Sequence, residues 1–170
     1  MVAHWLYEEW GRRREGNSYE GTCQRLAAAA AMDGLPMYLL AIEGEVVVGC
    51  AALKVREMEI YPEREHWLGS VYVTPGWRGH GIASRLVQAV VAASLRLGVS
   101  VLTLQTERPD GGLYAKLGWR PVERVWFHGT EVTVMERYLR KPAEPGASPN
   151  GGPAKPFGNS DISGGPPSVS

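Results

Sequence analysis

Apolar and polar positions alternate in blocks that predict short helices and strands over the first part of the chain. A helix is predicted over 3–14, and a second begins after Ser18, whose hydroxyl suits an N-cap, and includes the five alanines at 27–31. The near-continuous apolar runs at 37–42 and 46–55 flank Glu43-Gly44-Glu45 and predict a hairpin. Such runs are typical of strands that are buried on both sheet faces.

Strands and helices then alternate along the chain. The remaining predicted elements are a strand at 67–74, a long helix from Ile82 to Leu97, a strand at 99–106, a helical turn at 113–117 and strands near 120–128 and 131–139. In the strand at 67–74, Val71 and Val73 are predicted on one face and Leu68 on the other. In the long helix, Leu86, Val90 and Leu97 are predicted in the buried stripe. The order α-α-β-β-β-α-β-α-β-β places the chain in the α/β (α+β) class.

Composition changes sharply after Arg140. The segment 141–170 contains 7 of the 12 prolines and 6 of the 21 glycines, with few large apolar side chains. Such a segment cannot bury enough surface to offset the entropy of ordering it. We therefore predict one domain over 1–140 and a flexible tail over 141–170, with a partner-binding strip as the alternative for the tail.

Charge and cysteine content exclude several classes of protein. The 170 residues carry 18 basic and 18 acidic side chains, and this zero net charge argues against nucleic-acid or membrane binding by bulk electrostatics. Cys23 and Cys50 lie in apolar stretches and are interpreted as small buried residues, not as a disulfide framework or a metal site. Without a membrane-spanning or signal-peptide segment, we expect a cytoplasmic protein that needs no metal.

The most informative stretch is the strand, loop and helix from Val71 to Ala83. A glycine-rich turn that opens a long helix can cradle a pyrophosphate, because the first backbone N–H groups of the helix lack internal partners. Two other phosphate-binding patterns fail here. Ser84 stands where the Rossmann pattern needs its third glycine, and no Gly-Lys-Ser/Thr follows as a P-loop requires.

The stretch resembles the acetyl-CoA signature of the GCN5-related N-acetyltransferase (GNAT) superfamily, Gln/Arg-x-x-Gly-x-Gly/Ala. That pattern is met by Arg78-Gly79-His80-Gly81-Ile82-Ala83, directly after a Val-Tyr-Val-x-Pro strand end. A second family hallmark follows the next strand as Leu113-Tyr114-Ala115-Lys116-Leu117-Gly118-Trp119. The resemblance covers residues 3–140 and implies a central, mixed but mostly antiparallel twisted sheet with splayed strands and helices on both faces.

The resemblance also implies roles for particular residues. The strand at 68–74 is expected to bulge and to splay from the strand at 100–106, so that backbone groups of Val71 and Val73 bind the pantetheine arm of acetyl-CoA. The Val73 N–H is the expected oxyanion donor. The expected pyrophosphate ligands are the backbone N–H groups of Arg78, Gly79, His80, Gly81, Ile82, Ala83 and Ser84. For the Arg78 side chain, a phosphate contact and a solvated position both stay open.

Tyr114 matches the position of the family's proton donor, since a phenol with a pKa of about 10 is protonated at neutral pH. The base is open. The usual strand glutamate is missing from Leu68-Gly69-Ser70, which leaves Glu57, Glu59, Glu65, His66 or a water path near Ser70. An asparagine that the family often has after the strand at 100–106 is replaced by Thr106-Glu107-Arg108, so its role is not carried over.

The expected reaction is acetyl transfer from acetyl-CoA, as co-substrate, to a primary amine of a small molecule or a peptide N-terminus. Clues to the acceptor oppose one another, because Arg12-Arg13-Arg14 favours an acidic acceptor and the four glutamates at 57–65 favour a cationic one. Two rival functions remain: a non-catalytic acyl-CoA-binding regulatory module of the same fold, and a nucleotide-binding protein of another fold. A homodimer paired through the last strand is also possible.

Overall fold

The computed structural model describes residues 1–139, and the predicted tail at 141–170 lies outside them. Helices α1 (Val2–Glu9) and α2 (Tyr19–Ala31) come first, joined through a 3₁₀ turn at Gly11–Arg13. The later elements are β1 (Met37–Glu43), β2 (Val46–Val55), β3 (His66–Val73), α3 (Ile82–Arg96), β4 (Val101–Thr106), α4 (Gly112–Lys116), β5 (Arg120–Phe127) and β6 (Thr130–Tyr138). The predicted order of elements is confirmed, and Ser18 caps α2 by accepting a hydrogen bond from the Gly21 N–H at 3.0 Å.

The six strands form one sheet in the order β1-β2-β3-β4-β6-β5. All neighbours are antiparallel except β3 and β4, which run parallel and are paired only at Trp67 and Thr103. The sheet therefore has two halves, β1–β3 and β4–β6, that separate beyond this one pair. Strand β6 lies between β4 and β5, so its apolar residues are buried in its own sheet and are not free to pair with a second chain.

Helices cover both faces of the sheet. On one face, Ile82 and Leu86 of α3 pack with Val73 of β3 in the main core. On the other face, the Trp5 ring of α1 stacks on Tyr72 with ring centroids 5.2 Å apart. Successive strand side chains point to opposite faces, which is why these neighbouring residues of β3 contact different helices.

A bulge in β3 corrects the predicted alternation along this strand. The register with β2 shifts between Cys50 and Ala52, and Ser70 has a φ of 53°. The extra residue brings Leu68 to the same face as Val71 and Val73, where all three pack in or against the main core. The sequence pattern had placed Leu68 on the opposite face, because simple alternation does not account for an inserted residue.

Three burial predictions are also wrong. The prediction of burial on both faces holds for the middle of β2 but not for β1, an edge strand whose Leu40 and Ile42 are exposed. Leu97, predicted in the buried stripe of α3, caps the helix just after Arg96 and is exposed. Of the two cysteines, Cys50 is buried and Cys23 is only partly covered.

No helix among residues 1–139 is long and apolar enough to cross a lipid bilayer.

Candidate active site

The divergence of β3 from β4 leaves backbone groups of β3 without strand partners. The Thr74 N–H donates to the Val48 carbonyl at 2.9 Å, which fixes the direction in which Thr74 faces β2. Backbone groups of successive strand residues point in opposite directions, so those of Val73 point away from β2 and into the opening. The groups of Val71, two residues earlier, point the same way. The two residues expected to bind a pantetheine arm thus border the opening.

The Val73 carbonyl is already occupied. The Arg78 guanidinium donates from Nε to this oxygen at 2.9 Å and lies over the Tyr72 ring, with its central carbon 5.7 Å from the ring centroid. The side chain is therefore held against β3 although the residue is exposed, and it does not extend toward a phosphate. The Arg78 backbone N–H, expected to bind the pyrophosphate, donates instead to the Pro75 carbonyl at 3.3 Å. Of the two backbone groups of Val73, the N–H remains available to a ligand.

The loop before α3 has the shape of an anion cradle. Gly79 and Gly81 have φ values of 82° and 74°, and a Cβ atom added to either would meet nothing within 4 Å. The first backbone bond along this turn of α3 is from the Arg85 N–H to the Gly81 carbonyl, at 3.1 Å. The N–H groups of Ile82, Ala83 and Ser84 precede it and lack partners within the helix. These donors at the positive end of a 15-residue helix suit a pyrophosphate.

His80 belongs to this loop but its ring turns back on it. Nδ1 lies 3.0 Å from the Arg78 carbonyl oxygen and 3.3 Å from that of Trp77. The side chain therefore stabilises the turn through Nδ1, and the backbone N–H of His80 remains available to an anion.

Tyr114 is on α4, across the opening from β3. Its ring packs edge-on against Trp119 with centroids 6.3 Å apart, and burial raises the pKa of its phenol to about 12. The phenol is consequently protonated throughout the physiological pH range. That protonation state is the one a donor to a leaving thiolate needs.

A cavity of about 510 Å³ lies between β3 and α4. Ser70 and Val71 of β3 and Tyr114 of α4 line it, whereas the residues 78–84 lie outside it on the open surface at the end of β3. The loop between α1 and α2 and the turn between β5 and β6 close it from two sides, through Asn17 and His128 among others.

Few of the candidate bases reach the cavity. Glu57 and Ser70 line it, but Glu59, Glu65 and His66 do not. The Glu57 carboxylate is 2.8 Å from the Lys54 ammonium and 3.7 Å from the Arg14 guanidinium, so its charge is matched by two cations.

Sequence reasoning missed Lys54 and Arg25, two cations that line the cavity. Lys54 lies near the end of β2, where its side chain crosses Gly69 of β3, with three of its atoms 3.2 Å from the position a Cβ of Gly69 would take. The absence of a side chain at position 69 was the one signal in the sequence for this close approach. Arg25 carried no such signal, because it is one polar residue on the exposed side of a predicted helix.

Comparisons with known proteins agree with this architecture. The sequence profile of the acetyltransferase (GNAT) family matches residues 1–119. No curated protein is similar enough in sequence to match the chain.

Solved structures share the fold. The yncA protein of Salmonella typhimurium, whose structure includes acetyl-CoA as its cofactor, is 25% identical with a TM-score of 0.57, and the match covers 75% of this chain and 79% of that one. An N-acetyltransferase from Staphylococcus aureus Mu50 is 16% identical with a TM-score of 0.59, over 74% and 80% of the two chains. An aminoglycoside 6'-acetyltransferase type Ii is 17% identical with a TM-score of 0.61, over 82% and 88%.

The profile match spans well over half of the chain, and it includes both the glycine loop before α3 and the tyrosine of α4. This chain therefore belongs to the GNAT acetyltransferase family.

Proposed function

We propose that the protein transfers an acetyl group from acetyl-CoA to the nitrogen of a primary amine by direct attack. The observation that carries the proposal is the opening between β3 and β4. It has unpartnered backbone groups on one side, a protonated phenol on the other, and a helix N-terminus at its end. The acetyl-CoA in the yncA structure supports the choice of donor.

Each part of the opening has a task in this proposal. The N–H groups of the loop before α3 hold the pyrophosphate, and the Val73 N–H pairs with the pantetheine arm next to it. The Val71 N–H, on the cavity wall that Tyr114 also lines, donates to the thioester oxygen as negative charge develops on it, in place of the Val73 N–H expected from the sequence. The nitrogen–carbon bond forms and the carbon–sulfur bond breaks. Tyr114 gives its proton to the departing sulfur and regains one from solvent.

The attacking amine must first lose a proton. Because Glu57 is held by Lys54 and Arg14, we assign this proton to water in the open cavity, not to a side chain. The acceptor's own pKa then controls the reaction. The rate constant kcat/KM is expected to rise tenfold for each pH unit below the acceptor pKa and to level off above it.

Release of CoA tests the proposal. Purified protein is mixed with acetyl-CoA and a panel of acceptors that includes amino acids, peptides with acidic or neutral N-termini, lysine peptides, polyamines and aminoglycosides. Release above background hydrolysis with at least one class supports the enzyme. Thermal stabilisation by acetyl-CoA, but not by NAD or ATP, with no release in any arm would instead indicate the acyl-CoA-binding module.

A further inference from the structure

Arg25 differs from the other cations that line the cavity. Each of the others has a carboxylate within 4 Å: Arg13 has Glu107 at 3.1 Å, Lys54 and Arg14 share Glu57, and Arg108 has Asp110 at 3.0 Å. Within residues 1–139, no carboxylate lies within that distance of the Arg25 guanidinium.

Neutral groups hold Arg25 in place instead. Nη2 donates to Oδ1 of Asn17 and, at 3.0 Å, to Oγ1 of the buried Thr22. Asn17 is itself fixed by donating from Nδ2 to the Gly11 carbonyl at 3.2 Å, and Thr22 by donating to the Ser18 carbonyl at 3.0 Å. The guanidinium is thus oriented while Nε and Nη1 have no partner among the described residues. Nε and Nη1 lie on different edges of the guanidinium, so each can give a carboxylate oxygen one charge-assisted hydrogen bond.

The Arg25 guanidinium lies near the N-terminus of α2, where a bound anion would offset unfavourable electrostatics. Nη1 lies over Gly21, where an added Cβ would be 3.3 Å away, so the side chain folds toward the N-terminal turn of α2. That end of a helix carries partial positive charge and disfavours a cation. Glu20 is in the same turn but forms no ion pair with Arg25. An anion bound here would meet both the guanidinium and the helix end.

The positions of the glutamates at 57–65 reduce the support for a cationic acceptor. Of the four glutamates at 57–65, only Glu57 reaches the cavity, and two cations match its charge. Glu9 is the one acidic residue of the cavity wall without a cationic partner in the described part of the chain. Arg25 and Glu9 are therefore the two charged side chains of the cavity wall that remain available to pair with a charged group of the acceptor.

We infer that Arg25 binds a carboxylate of the acceptor, so that the substrate of the proposed acetyl transfer is a primary amine that also carries a carboxylate. The inference rests on the proposed function for the fate of the amine. Two sources would present this chemistry: the α-carboxylate of a free amino acid, and the side-chain carboxylate of an acidic residue at a peptide N-terminus. Arg25 is oriented before binding, which reduces the entropy lost when the carboxylate docks.

Binding of matched acid and amide probes to the CoA-bound protein tests the inference without turnover. L-leucine, L-phenylalanine and L-glutamate are titrated beside their α-amides, and Asp-Ala-Ala amide beside Asn-Ala-Ala amide. At least one acid is expected to bind about 10- to 100-fold more tightly than its amide, as expected for hydrogen bonds to a charged group. The pair that shows the difference identifies the source of the carboxylate.

Three variants complete the test. Arg25→Gln is expected to remove the preference for acid over amide. Arg12→Gln, which changes a neighbouring arginine outside the cavity wall, should retain it. Glu9→Gln should also retain it, and unchanged CoA affinity in all three shows that they are folded.

Equal binding of every acid and its amide, including no binding of either, would overturn the inference. So would a larger loss of acceptor affinity in Glu9→Gln than in Arg25→Gln, which would indicate a cationic acceptor. CoA release with neutral amines is measured separately, so failure of the proposed function is distinguishable from failure of the carboxylate preference.

Discussion

The Cys50 thiol donates a hydrogen bond to the Ser70 carbonyl oxygen, 3.4 Å away on the neighbouring strand. Ser70 is the residue with positive φ at the bulge of β3, and this bulge precedes the backbone groups that border the opening. A positive φ is uncommon in a residue other than glycine and is held by its surroundings. The buried thiol thus supports, from β2, the irregularity that shapes the site.

We expect the two cysteines to differ in reactivity. Burial raises the pKa of the Cys50 thiol to about 11, so little thiolate is present at pH 8, whereas Cys23 is partly exposed. A chromogenic thiol reagent should modify Cys23 in the folded protein, whereas Cys50 should react only after the protein is unfolded with denaturant. Reaction of both thiols at similar rates under native conditions would contradict the burial of Cys50.

Gly81→Ala is expected to weaken acetyl-CoA binding by about tenfold, because its methyl group would stand where a phosphate meets the helix N-terminus. Gly98→Ala is the matched control. Gly98 follows the other end of α3 with a φ of 77° and open space around it, against 74° for Gly81. Both variants should lose about 1 kcal/mol of stability through backbone strain. Equal acetyl-CoA affinity in the two, measured by calorimetry, would remove the loop from the binding site.

Tyr114→Phe should lower turnover by about 100-fold or more while acetyl-CoA affinity changes little, since it removes a proton donor and keeps the ring. Tyr38→Phe is the control, because it removes another phenol from the same cavity wall and should change kcat by less than about threefold. Steady-state kinetics with the best acceptor measure both. Similar kcat values for Tyr114→Phe and the wild type would exclude Tyr114 from the chemistry.

The high pKa of Tyr114 has a consequence for stability in alkali. Its phenol loses its proton near pH 10 in the unfolded chain but only near a pKa of about 12 in the folded protein. Between these values the unfolded state binds fewer protons, so stability falls as pH rises. Between pH 9 and pH 11, the free energy of unfolding measured with denaturant should fall by about 1 kcal/mol more for the wild type than for Tyr114→Phe. Parallel curves would show that the phenol is not buried.

The ion pair between Arg64 and Glu136 joins the loop before β3 to β6. Their side chains are 16% and 19% exposed, so neutralising one partner leaves the other poorly solvated. Glu136→Gln should therefore cost about 2 kcal/mol in chemical denaturation. Glu63, which also pairs with Arg64, is 66% exposed, and Glu63→Gln should cost less than about 0.5 kcal/mol. Equal losses in the two variants would show that burial does not govern this pair.

Local patterns predicted the elements of the fold because their signals lie close together in the chain. The Ser18 cap and the loop from Arg78 to Ala83 each depend on a few neighbouring residues. The predicted helix over 3–14 included the 3₁₀ turn at Gly11–Arg13, whereas α1 itself ends at Glu9. Its residues are as polar as those of an exposed helical turn, so periodicity could not separate the two.

Contacts between distant segments could not be predicted in the same way. The bond from Arg78 to Val73 depends on how the chain turns between them, and the contact of Lys54 with Gly69 depends on strand register. The charge of the cavity wall depends on which of the glutamates at 57–65 turn toward it, and among them Glu57 alone lines it. Sequence gives the number of such charges but not their direction.

The single pair between Trp67 and Thr103 makes the sheet a discontinuous structure. Within each half, the strands are joined by backbone hydrogen bonds. The seam, where β3 meets β4, is held mainly by side-chain packing. Amide hydrogens along the seam, those of Val71 and Val73 first, should then exchange with solvent faster than those of the interior strand β2. An extended ligand bound in the seam would pair with both halves as a seventh strand. The two halves would then unfold as one cooperative unit, whereas without the ligand each half can open separately.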